Sequence, residues 1–221
     1  MESGTATFIS LDGEPPVRGF LHTPAQPNGS GIILTHGAGA NCQSRLLMAM
    51  GNAFAAAGFF VLRCDLPFRQ ARPFGPPSPA GAARDREGLR RAVAVMKEKV
   101  KGAVYLGGHS YGGRQASMLL AEKPEVADGL LLLSYPLHPP EKPEQLRTAH
   151  FPELRKSAFF VSGTRDAFGT KEEMRSALKL IPAPQAILEV DGAGHELLKK
   201  TDTELPTRIV SEFQAFLKKR G

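Results

Sequence analysis

Short apolar runs recur along this chain, each bounded by Gly, Pro, Asn or Asp, and the longer stretches between them have helical spacing. Gly31-Ile32-Ile33-Leu34-Thr35-His36 predicts a strand buried on both faces, and Ser44 to Ala57, rich in Ala, Leu and Met, predicts a helix that stops at Gly58. Phe59 to Cys64 is the next strand. The Pro-rich stretch from Pro67 to Pro79 reads as a loop without a regular element. Arg84 to Lys101 has the pattern of a long amphipathic helix, Ala103 to Leu106 of a strand, and Gln115 to Glu122 of a further helix. Leu130 to Ser134, Ala158 to Ser162 and Ala186 to Val190 complete the strands. A helix from Lys171 to Leu180 separates the last two, and a terminal helix begins at about Pro206. Six strands alternating with helices call for a mostly parallel sheet with helices on both faces, an α/β fold. The first thirty residues differ: Thr5 to Ile9 and Val17 to Leu21 flank a turn at Asp12-Gly13 and read as an antiparallel pair at the sheet edge. Neither a repeat nor a composition shift divides residues 1–221, so a single domain is expected. Tyr135 to Lys156 is too short to form a large lid.

Composition narrows the class. A chain of 221 residues buries on the order of 70% of its unfolded surface. At 42% apolar content it is globular in type, and no apolar run approaches the ~20 residues of a membrane span. The sequence Met1-Glu2-Ser3-Gly4-Thr5 lacks the basic and apolar regions of a signal peptide, which points to a cytoplasmic protein with no membrane partner. Cys42 and Cys64 are then expected to be reduced, with Cys42 buried or inert and not a reactive thiol at a helix start. The net charge of +6 raises a nucleic-acid reading, which the distribution of the charge opposes. Acids interleave the basic residues of Arg84 to Lys101, and Lys218-Lys219-Arg220 closes a helix, where cations meet the dipole favourably. With no Trp and three Tyr, stacking platforms are also scarce.

The chemistry centres on Gly108-His109-Ser110-Tyr111-Gly112-Gly113, which follows a strand and precedes a helix. A G-x-S-x-G sequence in that setting is a nucleophile elbow, whose sharp turn lifts the serine hydroxyl above the sheet. Glycines flank it because side chains there would collide where the turn closes. A serine hydroxyl needs a base within hydrogen-bond reach and a third group to orient that base. Downstream, Asp166 follows one strand and His195 follows the last, both at strand carboxyl ends like Ser110. Asp191 stands close to His195 as a rival acid, better suited to shaping its turn. His36, His109, His138 and His150 are rival bases. A Rossmann reading of Gly37-Ala38-Gly39 with Asp65 fails, because Cys42 occupies the third glycine position and the elbow goes unexplained.

Leu34-Thr35-His36-Gly37-Ala38-Gly39, the elbow, Gly163-Thr164-Arg165-Asp166 and Gly192-Ala193-Gly194-His195 together resemble the α/β-hydrolase superfamily over nearly the whole chain. The likeness is nearest to small dienelactone-hydrolase-like proteins, in the branch related to testis-expressed protein 30. It implies an α/β-hydrolase fold with Ser110 as nucleophile, His195 as general base and Asp166 as its orienter. It further implies an oxyanion hole made by the Tyr111 N–H and by Ala38, or failing that Gly37. Dienelactone hydrolases proper use a cysteine nucleophile, so their lactone does not transfer. The expected reaction is hydrolysis of a small carboxylic ester or thioester, without metal or cofactor, by a monomer or small homo-oligomer. The alternative is a noncatalytic interaction module, since some relatives of this branch serve as subunits of larger assemblies. Arg69 and Arg72, after the Phe59 to Cys64 strand, are candidates to hold an acidic substrate group, with a solvated loop or an internal ion pair as the other reading. Tyr135 and His138 are candidates for the pocket wall.

Overall fold

The computed structural model describes residues 5–198 and 202–219. Eight strands, β1 (Thr5–Leu11), β2 (Val17–Thr23), β3 (Gly31–Thr35), β4 (Phe60–Cys64), β5 (Val104–His109), β6 (Gly129–Leu133), β7 (Ser157–Gly163) and β8 (Gln185–Val190), form one sheet in the order β1-β2-β4-β3-β5-β6-β7-β8. β1 pairs antiparallel with β2, and β2 antiparallel with β4; the other pairings are parallel. Among the described residues the helices are α1 (Arg45–Ala56), α2 (Pro67–Ala71), α3 (Ala82–Lys97), α4 (Tyr111–Glu122), α5 (Lys171–Leu178) and α6 (Leu205–Lys218).

Strand alternation divides the core into two layers. Ile33, Leu62, Leu106, Leu130, Leu132 and Phe160 face the layer formed with α3, α4 and α5. Their neighbours Ile32, Leu34, Val61, Leu131, Leu133 and Phe159 face α1 and α6. Burial on both faces is why these strands read as continuous apolar runs, not alternating ones. Phe213 of α6 anchors the second layer, with its ring centroid 5.3 Å from Tyr105 and 5.8 Å from Phe54. Helix starts follow local chemistry. Ser44 Oγ accepts from Leu47 N at 3.4 Å, and Thr170 and Glu173 form a reciprocal capping box on α5.

The stretch expected to lack regular structure carries α2, because Pro67 sits in its first turn, where proline loses no helical hydrogen bond. A single 3-10 turn at Pro79–Gly81 then leads directly into α3, which begins at Ala82 and ends at Lys97. The chain passes from β3 to β4 on one side and then to β5 on the other. That reversal opens a crevice at the carboxyl ends of β3 and β5. Among the described residues no helix is long and apolar enough to cross a membrane.

Candidate active site

β5 ends at His109, and Ser110 turns the chain straight into α4. Ser110 has φ 51° and ψ −117°, a conformation that side-chain-bearing residues avoid and that surrounding contacts must impose. Its N–H donates to Leu133 O at 2.9 Å, and its carbonyl accepts from Arg114 N at 2.9 Å. The turn closes tightly on its neighbours. A Cβ on Gly108 would lie 2.8 Å from Thr35 O, and one on Gly112 2.6 Å from His36 O, so both places admit only glycine.

Ser110 Oγ–H donates to His195 Nε2 at 2.8 Å, and His195 Nδ1–H donates to the Asp166 carboxylate at 3.0 and 2.9 Å. The carboxylate fixes the tautomer: with the proton on Nδ1, Nε2 keeps its lone pair for the serine proton. Asp166 is 7% exposed, and its Oδ1 also accepts from Phe168 N at 2.9 Å. The Phe168 ring lies 4.1 Å from the imidazole, centroid to centroid, and walls it on one side. Asp191 is elsewhere, accepting from Thr164 Oγ1, which in turn accepts from Gly192 N; it shapes the turn that precedes His195.

The rival histidines are engaged, with His36, His109 and His138 buried and His150 half-buried. His109 Nε2–H donates to the His195 carbonyl at 2.9 Å, and burial holds His109 below the usual histidine range. His36 Nδ1–H donates to Gly37 O while its Nε2 accepts from Leu66 N, a pattern that requires the neutral ring, and burial likewise lowers its pKa. His150 is pushed down to about 4 by burial and then by the Arg114 and Arg86 charges.

Because Thr35 pairs with Gly108, the loop after β3 lies beside the elbow. A Cβ on Gly37 would stand 3.4 Å from Ser110 Cβ. Tyr111 is the first residue of α4, so its N–H has no intrahelical acceptor. The Tyr111 hydroxyl donates to Asp85 at 2.7 Å, and Asp85, wholly buried on α3, also accepts from Phe68 N. Burial raises the Asp85 pKa, so the two donors are what hold this carboxyl in the core.

A family model described as an alpha/beta hydrolase domain matches residues 28–216. The chain belongs to the α/β-hydrolase family. Solved structures of the same fold include dienelactone hydrolase from Anabaena variabilis, 18% identical, with 97% of this chain and 98% of that one covered at a TM-score of 0.75. Est1E from Butyrivibrio proteoclasticus is 19% identical over 96% and 98% of the two chains, TM-score 0.74. XC6422 from Xanthomonas campestris, a serine hydrolase without a lid, is 12% identical over 96% and 94%, TM-score 0.69.

Two cavities of this α/β hydrolase meet at Ser110. One, of about 370 Å³, is bounded by Gly37, Ala38, His109, Phe168 and His195. The other, of about 380 Å³, runs along α4 between Pro76, Pro77 and Pro79 on one side and Pro136 on the other, and also reaches Ala38 and Tyr111. The residues expected to bind substrate are not among its walls. Arg69 is 7% exposed, and its five N–H groups are directed at five backbone carbonyls: Ala40 and Ala38 at 2.8 Å, Pro73 at 2.6 Å, Gly75 at 3.2 Å and Arg72 at 3.4 Å. A guanidinium with every donor in use is a brace between the loop after β3 and the loop after α2, and cannot also clamp an anion. Arg72 is exposed and donates to the Pro76 carbonyl. Tyr135 is 2% exposed and packed in the core, its hydroxyl donating to Arg147 O at 2.6 Å. His138 faces the Glu173 carboxylate at 3.3 Å on its Nε2 side and Pro139 O on the other, and borders neither cavity.

The cavity wall instead carries Arg114, Gln115 and Arg147, which the sequence reading did not single out, together with Phe168. Arg114 had a usable signal, since it stands one helical turn after Ser110. Arg147 had none, because an irregular segment brings it back over the cavity. Among the described residues no group of three or more His, Cys, Asp or Glu side chains could hold a metal ion. Cys42 and Cys64 are buried free thiols; burial pushes Cys42 up to about 12 and Cys64 higher still.

Proposed function

We propose that this protein is a serine hydrolase that cleaves a small carboxylic ester or thioester through an acyl-Ser110 intermediate. The hydrogen-bonded chain from Ser110 through His195 to Asp166 is the observation that carries this reading. His195 Nε2 takes the hydroxyl proton as Oγ bonds to the carbonyl carbon, and Asp166 stabilises the imidazolium that forms. The Tyr111 and Ala38 N–H groups receive the oxyanion, each donor lowering the barrier by about 3–4 kcal/mol. As the carbon–oxygen or carbon–sulfur bond breaks, His195 returns its proton to the departing atom. Water then attacks the acyl-serine with His195 as base, releasing the acid and restoring Ser110. Because the leaving atom must be protonated by His195, it belongs in the cavity that His195 borders, and the acyl group in the cavity along α4. Arg69, holding the Ala38 and Ala40 carbonyls, positions the oxyanion loop.

A fluorophosphonate probe tests this directly. It should label the folded wild-type protein and not Ser110→Ala, and the wild type should release acid from short neutral esters. A folded protein that neither labels nor turns over esters would be the noncatalytic module.

A further inference from the structure

The cavity along α4 contains two arginines and no acid to neutralise them. Arg114 and Arg147 both line it, and among the described residues neither forms an ion pair with a carboxylate. The nearby acids are committed: Glu122 pairs with Arg86 at 3.3 Å, and Asp85 accepts from Tyr111 and Phe68. Among the described residues Arg114 Nε, shielded from solvent, has no acceptor, and neither has Nε2 of Gln115, a residue wholly buried in the same wall. The Gln115 amide is not free to turn round, because Arg86 donates to its Oε1 at 3.1 Å. Two buried donors without acceptors leave this wall positive, a cost that the charge of an anion in the adjacent cavity offsets. Arg147 is held by its own backbone, its N–H donating to Leu137 O and its carbonyl accepting from Tyr135, and one guanidinium nitrogen donates to Pro136 O at 3.4 Å. Burial and the neighbouring Arg114 charge pull its pKa down, as two like charges facing one space require.

We propose that the acyl group of the substrate ends in a carboxylate, bound by Arg114 and Arg147, so that the enzyme hydrolyses half-esters or thioesters of short dicarboxylic acids. This rests on the hydrolase reading for the reaction, but the anion site stands on its own geometry. Arg114 lies one turn beyond Ser110 on α4, ~6 Å along the helix axis, so a short acyl chain from Ser110 ends beside its guanidinium. The proline walls stiffen the cavity, and paired guanidinium groups suit a planar carboxylate. The reaction balances: the ester bond and one water become the alcohol or thiol and the free dicarboxylic acid, with Ser110 regenerated.

The test is a pH-stat comparison of methyl butyrate with monomethyl succinate, glutarate and adipate, alongside calorimetric titration of glutarate into Ser110→Ala. At least one half-ester should exceed methyl butyrate in kcat/KM by about tenfold or more. Arg114→Gln and Arg147→Gln should each collapse that ratio towards one, with folding checked by circular dichroism. Glutarate should bind Ser110→Ala, while glutaramide and inorganic phosphate should not. Turnover of methyl butyrate with no half-ester preference and no glutarate binding overturns the anion site and leaves the hydrolase reading intact. Glutarate binding without turnover of any ester supports the anion site and removes the hydrolase reading. Phosphate binding as tightly as glutarate overturns the carboxylate assignment. If the arginine variants misfold, glutarate binding and the wild-type ester preference still decide.

Discussion

Arg69→Met removes the brace between two loops while keeping most of the side-chain volume. Three of its five contacts are at 2.8 Å or shorter, and the residue is 7% exposed. At about 1 kcal/mol net for each of those three bonds, with the two longer ones neglected, the loss is ~3 kcal/mol. For a chain of this size that lowers Tm by roughly 6–12 °C. Catalysis should suffer through Ala38, whose carbonyl is one of the three anchors. Complete loss of one oxyanion donor would slow the reaction by ~10²–10³, and a loop that is loosened but present should cost about ten- to a hundredfold. Arg69→Lys, with three donors instead of five, should fall between. The assay is thermal denaturation followed by pH-stat kcat/KM on methyl butyrate and on monomethyl glutarate. The fall should be equal for the two esters, because the oxyanion is common to both. A variant that kept its Tm and lost the half-ester alone would refute the brace and restore Arg69 as an anion clamp.

Asp166→Asn retains an acceptor for Phe168 N but no longer stabilises the His195 imidazolium; kcat should fall on the order of 10³–10⁴-fold with little loss of Tm, and a smaller effect would dismiss Asp166 as the orienter. His22, 1% exposed, accepts from Arg63 Nε at 2.7 Å, and burial with the Arg63 charge lowers its pKa from 6.5 to about 4. The unfolded chain therefore takes up the proton first as pH falls: stability is full above about pH 6.5, declines by ~3 kcal/mol towards pH 4, and is then flat in this group. Urea unfolding across that window should show the decline in wild type and a shallower one in His22→Gln. Cys42 and Cys64, both buried and raised in pKa, should resist iodoacetamide at pH 8 in the folded protein and react on unfolding; rapid alkylation of either in the native state would contradict their inert assignment.

Runs such as Ile32 to Thr35 and Leu130 to Leu133 determine by themselves that strands form there, because only a sheet covered on both faces buries every residue of such a run. The glycines around Ser110 likewise dictate a local turn, whose steric demand is met within a few residues. Placing Ser110, Asp166 and His195 after the parallel strands β5, β7 and β8 was enough to anticipate a common rim, since parallel strands share one carboxyl end. The partners of Arg69, Tyr135, His138, Arg114 and Arg147 could not be read in that way. Each lies in, or reaches towards, loops whose paths depend on what they pack against, and a guanidinium or hydroxyl serves a backbone carbonyl as readily as a ligand. The chain order thus determined the strands, the elbow and the line of Ser, Asp and His. Tertiary packing alone decided which arginines are consumed within the protein and which face the cavity, because hydrogen-bond supply and demand is settled only when the loops are in place.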